Sequence, residues 1–118
     1  MLTIRQEQME AFEEETQRQF ETRMEAYLRG AYPSKLETTS DQQLLGLIRQ
    51  GVANSEKYDV VTENDVSRYI AYMVSYGADF DRTQPWAAKI LKTPQINGTQ
   101  KMDRIDNYDL FAGRGGGG

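Results

Sequence analysis

Cysteine and histidine are both absent from this chain of 118 residues. Without cysteine, the chain has no disulfide, no thiolate nucleophile and no cysteine-bound zinc or iron–sulfur site. Without histidine, it has no imidazole base, no Ser-His-Asp triad and no histidine ligand for a metal. Carboxylates, lysines, tyrosines and hydroxyl groups remain, which is a short set for catalysis. The two absences disfavour most enzyme classes, and we expect a non-enzymatic protein with no cofactor and no metal site.

Positive charge and long apolar runs are also scarce. The 14 Lys and Arg face 18 Asp and Glu, which gives a formal net charge of −4. A nucleic-acid partner usually requires a basic stripe, so this balance argues against one. No apolar run approaches the roughly 20 residues that cross a bilayer, and the N-terminal residues lack the basic-then-apolar order of a secretory signal. We therefore expect no membrane association and a cytoplasmic location.

The spacing of apolar residues predicts an all-α fold of about five helices, beginning with a long amphipathic one. Thr3 and Gln6 form a capping-box pattern at its start, and Gly30 ends it. Its apolar stripe consists of Met9, Phe12, Phe20, Met24, Tyr27, Leu28 and Ala31. We interpret this as a core-facing helix with a solvated acidic face. The alternative is that so long a helix overhangs the domain and docks on a partner.

Capping residues mark the second and third helices. Ser40 begins the second, in which Gly46 and Gly51 lower helix stability unless another helix crosses closely there. Thr62 is the expected N-cap of the third helix, and Gly77 is expected to end it in the left-handed conformation. Because apolar or aromatic residues lie on nearly all sides of the third helix, we expect it to be the central one.

Two shorter helices complete the predicted domain. Pro85 suits the first turn of a fourth helix, in which Trp86, Ile90 and Leu91 should face inward. Thr99 is the expected cap of a last helix, which runs as far as Phe111. These elements form one helical domain over residues 1–112. Residues 113–118, rich in glycine, are expected to form a flexible tail outside the fold.

Acidic residues form no convincing catalytic or metal-binding pattern. Asp79-Phe80-Asp81 resembles the start of a calcium loop, but the ligands that should follow at alternate positions are missing. We expect Asp79 or Asp81 to accept N–H bonds in the turn or to pair with Arg82, with Phe80 in the core. A carboxylate pair of the glycosidase kind stays open as the least favoured alternative, since 18 acidic residues give such pairs by chance.

Tyrosines are the most informative residues for function. Tyr69, Tyr72 and Tyr76 recur at steps of three and four along the third helix, so they lie on one side of it. They belong either to the core or to a protein-binding patch, because tyrosine is enriched at protein interfaces. The candidate protein-binding residues are Tyr72, Tyr76 and Trp86, and their burial decides between the two interpretations.

Residues 58–91 carry a pattern whose most distinctive part is an Asp-Phe-Asp sequence followed by Pro-Trp-Ala. Its segments are Tyr58-Asp59-Val60, Thr62-Glu63-Asn64-Asp65-Val66, Arg68-Tyr69-Ile70, Met73, Gly77-Ala78-Asp79-Phe80-Asp81 and Pro85-Trp86-Ala87. This pattern resembles a family of short helical bacterial proteins whose genes lie beside those of type VI secretion spikes, PAAR tips and effectors. Ile4–Met9 and Phe20–Met24 are similar to the opening helix of that family, so the resemblance covers most of residues 3–111.

The resemblance implies a small accessory protein of an effector module, with no catalytic residue carried over. Such a protein is an adaptor or chaperone that holds a secreted effector, or a spike or PAAR component, for loading, or is itself part of the delivered complex. The alternative is an immunity protein, whose acidic first helix blocks a basic toxin nuclease by resembling nucleic acid. The sequence leaves the oligomeric state open.

Overall fold

The structure, a computed structural model, describes the backbone of residues 2–113 and the side chains of residues 15–111. Over this range the chain is all-α, as the apolar spacing predicts, and no residue lies in a strand. The helices are α1 (Leu2–Ala31), α2 (Asp41–Glu56), α3 (Glu63–Tyr76), α4 (Phe80–Thr83), α5 (Pro85–Leu91) and α6 (Gly98–Tyr108). A π-helical segment, Asp109–Gly113, continues directly from α6 and is called the π segment below.

The chain divides into two compact units, Met1–Gln50 and Gly51–Gly118. The boundary falls inside α2, so each unit includes one part of that helix. The expected glycine-rich tail lies mostly outside the described residues. Gly113, which the sequence assigns to that tail, is the last residue of the π segment.

The first unit buries one row of α1 side chains. Phe20, Met24 and Leu28, spaced four residues apart, are buried, as are Leu36, Leu44 and Ile48. Tyr27 and Ala31 are exposed, so their assignment to the buried stripe is wrong. Tyr27 is turned about 100° from the neighbouring Leu28, and Ala31 is the last residue of the helix, beyond its packed turns. The side chains of Met9 and Phe12 lie outside the described residues.

Polar contacts connect α1 to α2 within the first unit. The buried Glu21 carboxylate accepts hydrogen bonds from Arg49 Nε and Gln17 Nε2, both at 2.8 Å. At the start of α2, the predicted capping box is confirmed: Ser40 N donates to Gln43 Oε1 at 2.9 Å, and Gln43 N donates to Ser40 Oγ at 3.0 Å. α1 begins at Leu2, so Thr3 is inside the helix and is not its N-cap.

α3 is the central helix of the second unit, as its apolar character predicts. It buries Val66, Tyr69, Ile70 and Met73. The predicted N-cap is confirmed, since Thr62 Oγ1 accepts a hydrogen bond from the Asp65 backbone N–H at 3.2 Å. Gly77 ends the helix with a φ of 117° and a ψ of 150°, so the left-handed helical conformation expected there is wrong. The positive φ still favours glycine, because side chains rarely tolerate it.

Two glycines permit close backbone packing in the second unit. A Cβ on Gly51 would lie 2.5 Å from Ile70 Cγ1, so α3 approaches closely at that position, which is the condition that the sequence set for a glycine there. Gly46 has nothing within 4 Å of such a Cβ, so no crossing accounts for it. A Cβ on Gly98, the first residue of α6, would lie 1.9 Å from the Asp59 carbonyl oxygen.

The N-cap of α6 is Asn97, and the assignment of this role to Thr99 is wrong. Asn97 Oδ1 accepts from the Gln100 backbone N–H at 2.8 Å, and Gln100 Oε1 accepts from the Asn97 backbone N–H at 2.9 Å. Thr99 lies in the first turn, where its hydroxyl donates to Asp65 Oδ2 at 2.5 Å. This tertiary contact, rather than a cap, accounts for the hydroxyl at that position.

α4 is a four-residue helix that the apolar spacing does not predict. Its Phe80 is fully buried, and Asp79 pairs with Arg82 at 2.7 Å, as expected for the Asp-Phe-Asp sequence. Pro85 begins α5, also as expected. Of the residues predicted to face inward from α5, Leu91 is buried, while Trp86 and Ile90 are only half-buried.

Candidate functional site

Tyr72, Tyr76 and Trp86 lie together on the second unit. Tyr72 and Tyr76 are one turn apart on α3, and their ring centroids are 6.1 Å apart. The Trp86 ring meets Tyr76 edge-on, with 5.3 Å between the centroids and 73° between the planes. All three residues are half-buried, so they belong neither wholly to the core nor wholly to the surface. The sequence therefore identified members of a single cluster.

Tyr108 is a fourth member that the sequence did not identify as a binding residue. Its ring stacks on Trp86 with 4.5 Å between the centroids and 10° between the planes. Tyr108 is 37% exposed and occupies the last position of α6. A position three residues after the buried Ile105 was a weak signal for it, because residues three apart lie on neighbouring parts of a helix face. The four rings of Tyr72, Tyr76, Trp86 and Tyr108 are called the aromatic surface below.

Carboxylates of α6 and the π segment fix the α3 tyrosines. The Tyr72 hydroxyl donates to Asp106 Oδ1 at 2.6 Å, and the Tyr76 hydroxyl donates to Asp109 Oδ1. Burial and the Asp106 carboxylate raise the pKa of Tyr72, so its phenol stays protonated and remains a donor at physiological pH. The two rings are thus held in position before any partner binds.

Arg68, one turn before Tyr72 on α3, connects α3 to α6. Its guanidinium donates to Asp65 Oδ1 at 2.7 Å, Asp103 Oδ1 at 2.6 Å and Asp106 Oδ2 at 2.6 Å. Burial alone would lower the pKa of Arg68, but the three carboxylates outweigh it and raise that pKa. Burial would likewise raise the pKa of Asp65, but hydrogen bonds from Thr99, the Thr62 cap and Arg68 lower it. These groups stay charged and serve to hold the two helices together.

The same contacts show that α3 and α6 run parallel. Asp65 meets Thr99, Arg68 meets Asp106, and Tyr76 meets Asp109, so residue numbers increase in the same direction along both helices. The aromatic surface therefore forms where the C-terminal ends of α3 and α6 meet α5.

Exposed apolar side chains follow Tyr108 in the π segment. Leu110 is 50% exposed and Phe111 is 75% exposed. They come two and three residues after Tyr108 along the chain. In the first unit, Tyr27 is also largely exposed, at 55%. Exposed aromatic and aliphatic side chains that adjoin one another are typical of binding surfaces.

A second group of tyrosines in the second unit consists of the buried Tyr69 and the half-buried Tyr58. The Tyr69 ring is 4.9 Å from that of Phe80 and 6.3 Å from that of Tyr58, and its buried hydroxyl has no hydrogen-bond partner among the described residues. The Tyr58 hydroxyl donates to Asp81 Oδ2 at 2.6 Å, and burial together with this bond raises the pKa of Tyr58 to about 12. Burial and the nearby Asp81 also raise the pKa of Tyr69. Both phenols are thereby kept neutral, which makes them poor bases.

Neither a metal-ion site nor a membrane-spanning helix is found among the described residues. Among them, no group of three or more Asp and Glu is arranged to hold a metal ion. No described helix has both the length and the apolar character needed to cross a membrane.

Two carboxylates, those of Glu21 and Asp65, have lowered pKa values because their hydrogen bonds and paired arginines outweigh burial. They lie in different units.

Comparison of the chain with protein-family models, with curated proteins and with solved structures finds no match. The aromatic surface and the apolar side chains that follow it are the features from which a function can be argued.

Proposed function

We propose that this chain is a non-enzymatic protein-binding accessory factor that docks its partner on the aromatic surface, Leu110 and Phe111. One observation carries the proposal: large apolar side chains remain exposed in the segment that directly follows Tyr108, which belongs to a cluster of rings held by ring contacts and hydrogen bonds. Phe111, 75% exposed, has the greatest exposure among the large apolar side chains described. Burying such a ring in a partner contributes about 2 kcal/mol from its apolar area.

Preorganisation supports the choice of this surface. Tyr72 and Tyr76 are held by carboxylates, and Trp86 is fixed between Tyr76 and Tyr108. Rings that are already ordered lose little side-chain entropy when a partner binds, so more of the contact energy remains as affinity. Tyrosine and tryptophan in such positions are the residue types that dominate binding energy at protein interfaces.

The class of partner is proposed from the resemblance of residues 58–91. These residues include three members of the aromatic surface, Tyr72, Tyr76 and Trp86. We infer that the chain acts as an adaptor or chaperone for a type VI effector module in the bacterial cytoplasm. Its partner is then a secreted effector, or a spike or PAAR component, encoded beside it.

Co-expression with the proteins encoded beside this chain, followed by pull-down, tests the proposal. An adaptor forms a stable complex with one of them, and its deletion reduces delivery of the effector. Expression of the chain alone against the toxin then separates the two roles. An adaptor gives no protection, whereas protection by the chain alone identifies an immunity protein. Failure to form any stable complex, with effector level and delivery unchanged on deletion, would exclude the adaptor role.

A further inference from the structure

The π segment begins at Asp109, which still has α-helical backbone angles and donates its backbone N–H to the Ile105 carbonyl oxygen four residues earlier. α6 is regular as far as Tyr108. π-helical turns are rare, and they appear mostly at functional positions. The hydrogen bonds of a π-helical turn stabilise the backbone less than those of an α-helix. A contact from elsewhere in the fold is therefore needed to favour the π-helical turn.

Asp109 has such a contact. Its carboxylate accepts a hydrogen bond from the hydroxyl of Tyr76, which lies on the central helix α3. Hydrogen bonds to a carboxylate are stronger than those between neutral groups. The neighbouring bond from Tyr72 ends on Asp106, one turn earlier and within the regular part of α6. The π segment therefore begins with the residue that Tyr76 holds.

The geometry of this segment determines where the exposed side chains point. A π-helical turn contains about one more residue than an α-helical turn, so each residue in it turns by less than an α-helical residue does, and a return to α geometry rotates the residues of the segment around the helix axis. Leu110 and Phe111 both follow the transition. Their direction relative to Trp86 and Tyr108 therefore depends on whether the π turn is kept.

We propose that Tyr76 is a positioning residue, whose hydroxyl holds the π segment through Asp109 and so sets the direction in which Leu110 and Phe111 meet the partner. The effect of Tyr76 on the π segment follows from its hydrogen bond to Asp109. Its consequence for the partner rests on the proposed docking function. Tyr76 thereby has two roles, as a ring in the aromatic surface and as the donor that orders the adjoining segment.

Hydrogen exchange of the full chain, measured by NMR, tests the effect of Tyr76 on the π segment without any partner. Tyr76→Phe removes the hydroxyl and keeps the ring, and we expect amide exchange within Asp109–Gly113 to become about tenfold faster or more. Tyr72→Phe is the matched control, because it removes the same group from the bond to Asp106. It should leave exchange in the π segment within about twofold of the wild-type rate.

A double-mutant cycle adds a measurement that general loosening of the fold would not reproduce. Asp109→Asn and Tyr76→Phe each remove part of one interaction, so their combined effect on exchange should be clearly smaller than the product of the single effects. Equal exchange in Tyr76→Phe and wild type, equal effects of Tyr76→Phe and Tyr72→Phe, or multiplicative effects in the cycle would each overturn the inference. Since no partner is present, a failure of the proposed docking function does not affect this result.

Discussion

Trp86 and Tyr108 stack nearly parallel, with 4.5 Å between their ring centroids and 10° between their planes. They come from different helices, α5 and α6, so this contact connects the end of α6 to the rest of the aromatic surface. Trp86 is also the single tryptophan of the chain. Its fluorescence emission therefore reports directly on this surface and on nothing else in the protein.

Replacing Arg68 should destabilise the chain strongly. Arg68→Gln leaves the buried Asp65 carboxylate without its cationic partner, and removing one member of such a group costs about 3–5 kcal/mol when it is fully buried. Because Arg68 is partly exposed, we expect a loss of about 2–4 kcal/mol in the free energy of unfolding. Urea denaturation measures it. Arg82→Gln, which breaks the exposed pair with Asp79, is the control and should show no measurable change.

Replacing Gly98 and Gly46 with alanine should have opposite effects on the stability of the chain. Gly98→Ala places a Cβ 1.9 Å from the Asp59 carbonyl oxygen, so backbone must move, and we expect a loss of about 2 kcal/mol or more. Gly46→Ala adds a methyl group to an exposed helix position with nothing within 4 Å, and should stabilise by up to about 1 kcal/mol. Thermal unfolding of both variants gives the comparison. Equal effects at the two sites would show that the close approach at Gly98 is wrong.

Removing two tyrosine hydroxyls, one hydrogen-bonded and one without a partner among the described residues, should change the free energy of unfolding by different amounts. Tyr58→Phe leaves the buried Asp81 carboxylate without its donor, which we expect to cost about 1–3 kcal/mol. Tyr69→Phe removes a buried hydroxyl that has no partner among the described residues, so stability should be unchanged or should rise by up to about 1 kcal/mol. Chemical denaturation of the two variants measures both values. A large loss in Tyr69→Phe would reveal a partner for that hydroxyl.

Lowering the pH should remove the contribution of the Asp65 carboxylate to the free energy of unfolding. The pKa of this carboxyl in the folded chain is below its ordinary value of about 3.9, because its hydrogen bonds and Arg68 favour the charged form over the effect of burial. Its stabilising effect is therefore fully present above about pH 5 and is lost as the pH falls through the ordinary value toward the lower folded value. The free energy of unfolding should decrease over that window. Asp65→Asn should show a smaller decrease, and an identical decrease would argue against this role.

Two helix starts were predicted from local capping interactions, whereas the equally local box of Asn97 and Gln100 was passed over in favour of Thr99. Ser40 and Thr62 bond backbone groups three residues away, so the sequence alone contains both partners. Thr99 was misassigned because its hydroxyl also suits a cap, whereas its partner, Asp65, lies 34 residues earlier. The short helix α4 escaped prediction because four residues are too few to show a helical period.

The candidate site was predictable only in part, for a related reason. Tyr72 and Tyr76 share a helix, and their spacing alone puts them on one side of it. Trp86 and Tyr108 stack across different helices, and nothing local to either residue indicates that contact. The contact that Tyr76 makes with Asp109, 33 residues later, is equally invisible to local sequence patterns.

The affinity of this chain for the protein partner proposed above, measured for two surface variants, tests the docking surface most directly. Phe111→Ser and Tyr27→Ser each remove one exposed aromatic side chain, and neither should disturb the core. The account predicts that Phe111→Ser raises Kd at least tenfold, equivalent to about 1.4 kcal/mol, while Tyr27→Ser changes it less than twofold. A loss confined to Tyr27→Ser would place the partner on the long helix α1 instead. That result, or binding unaffected by either variant, would contradict docking on the aromatic surface.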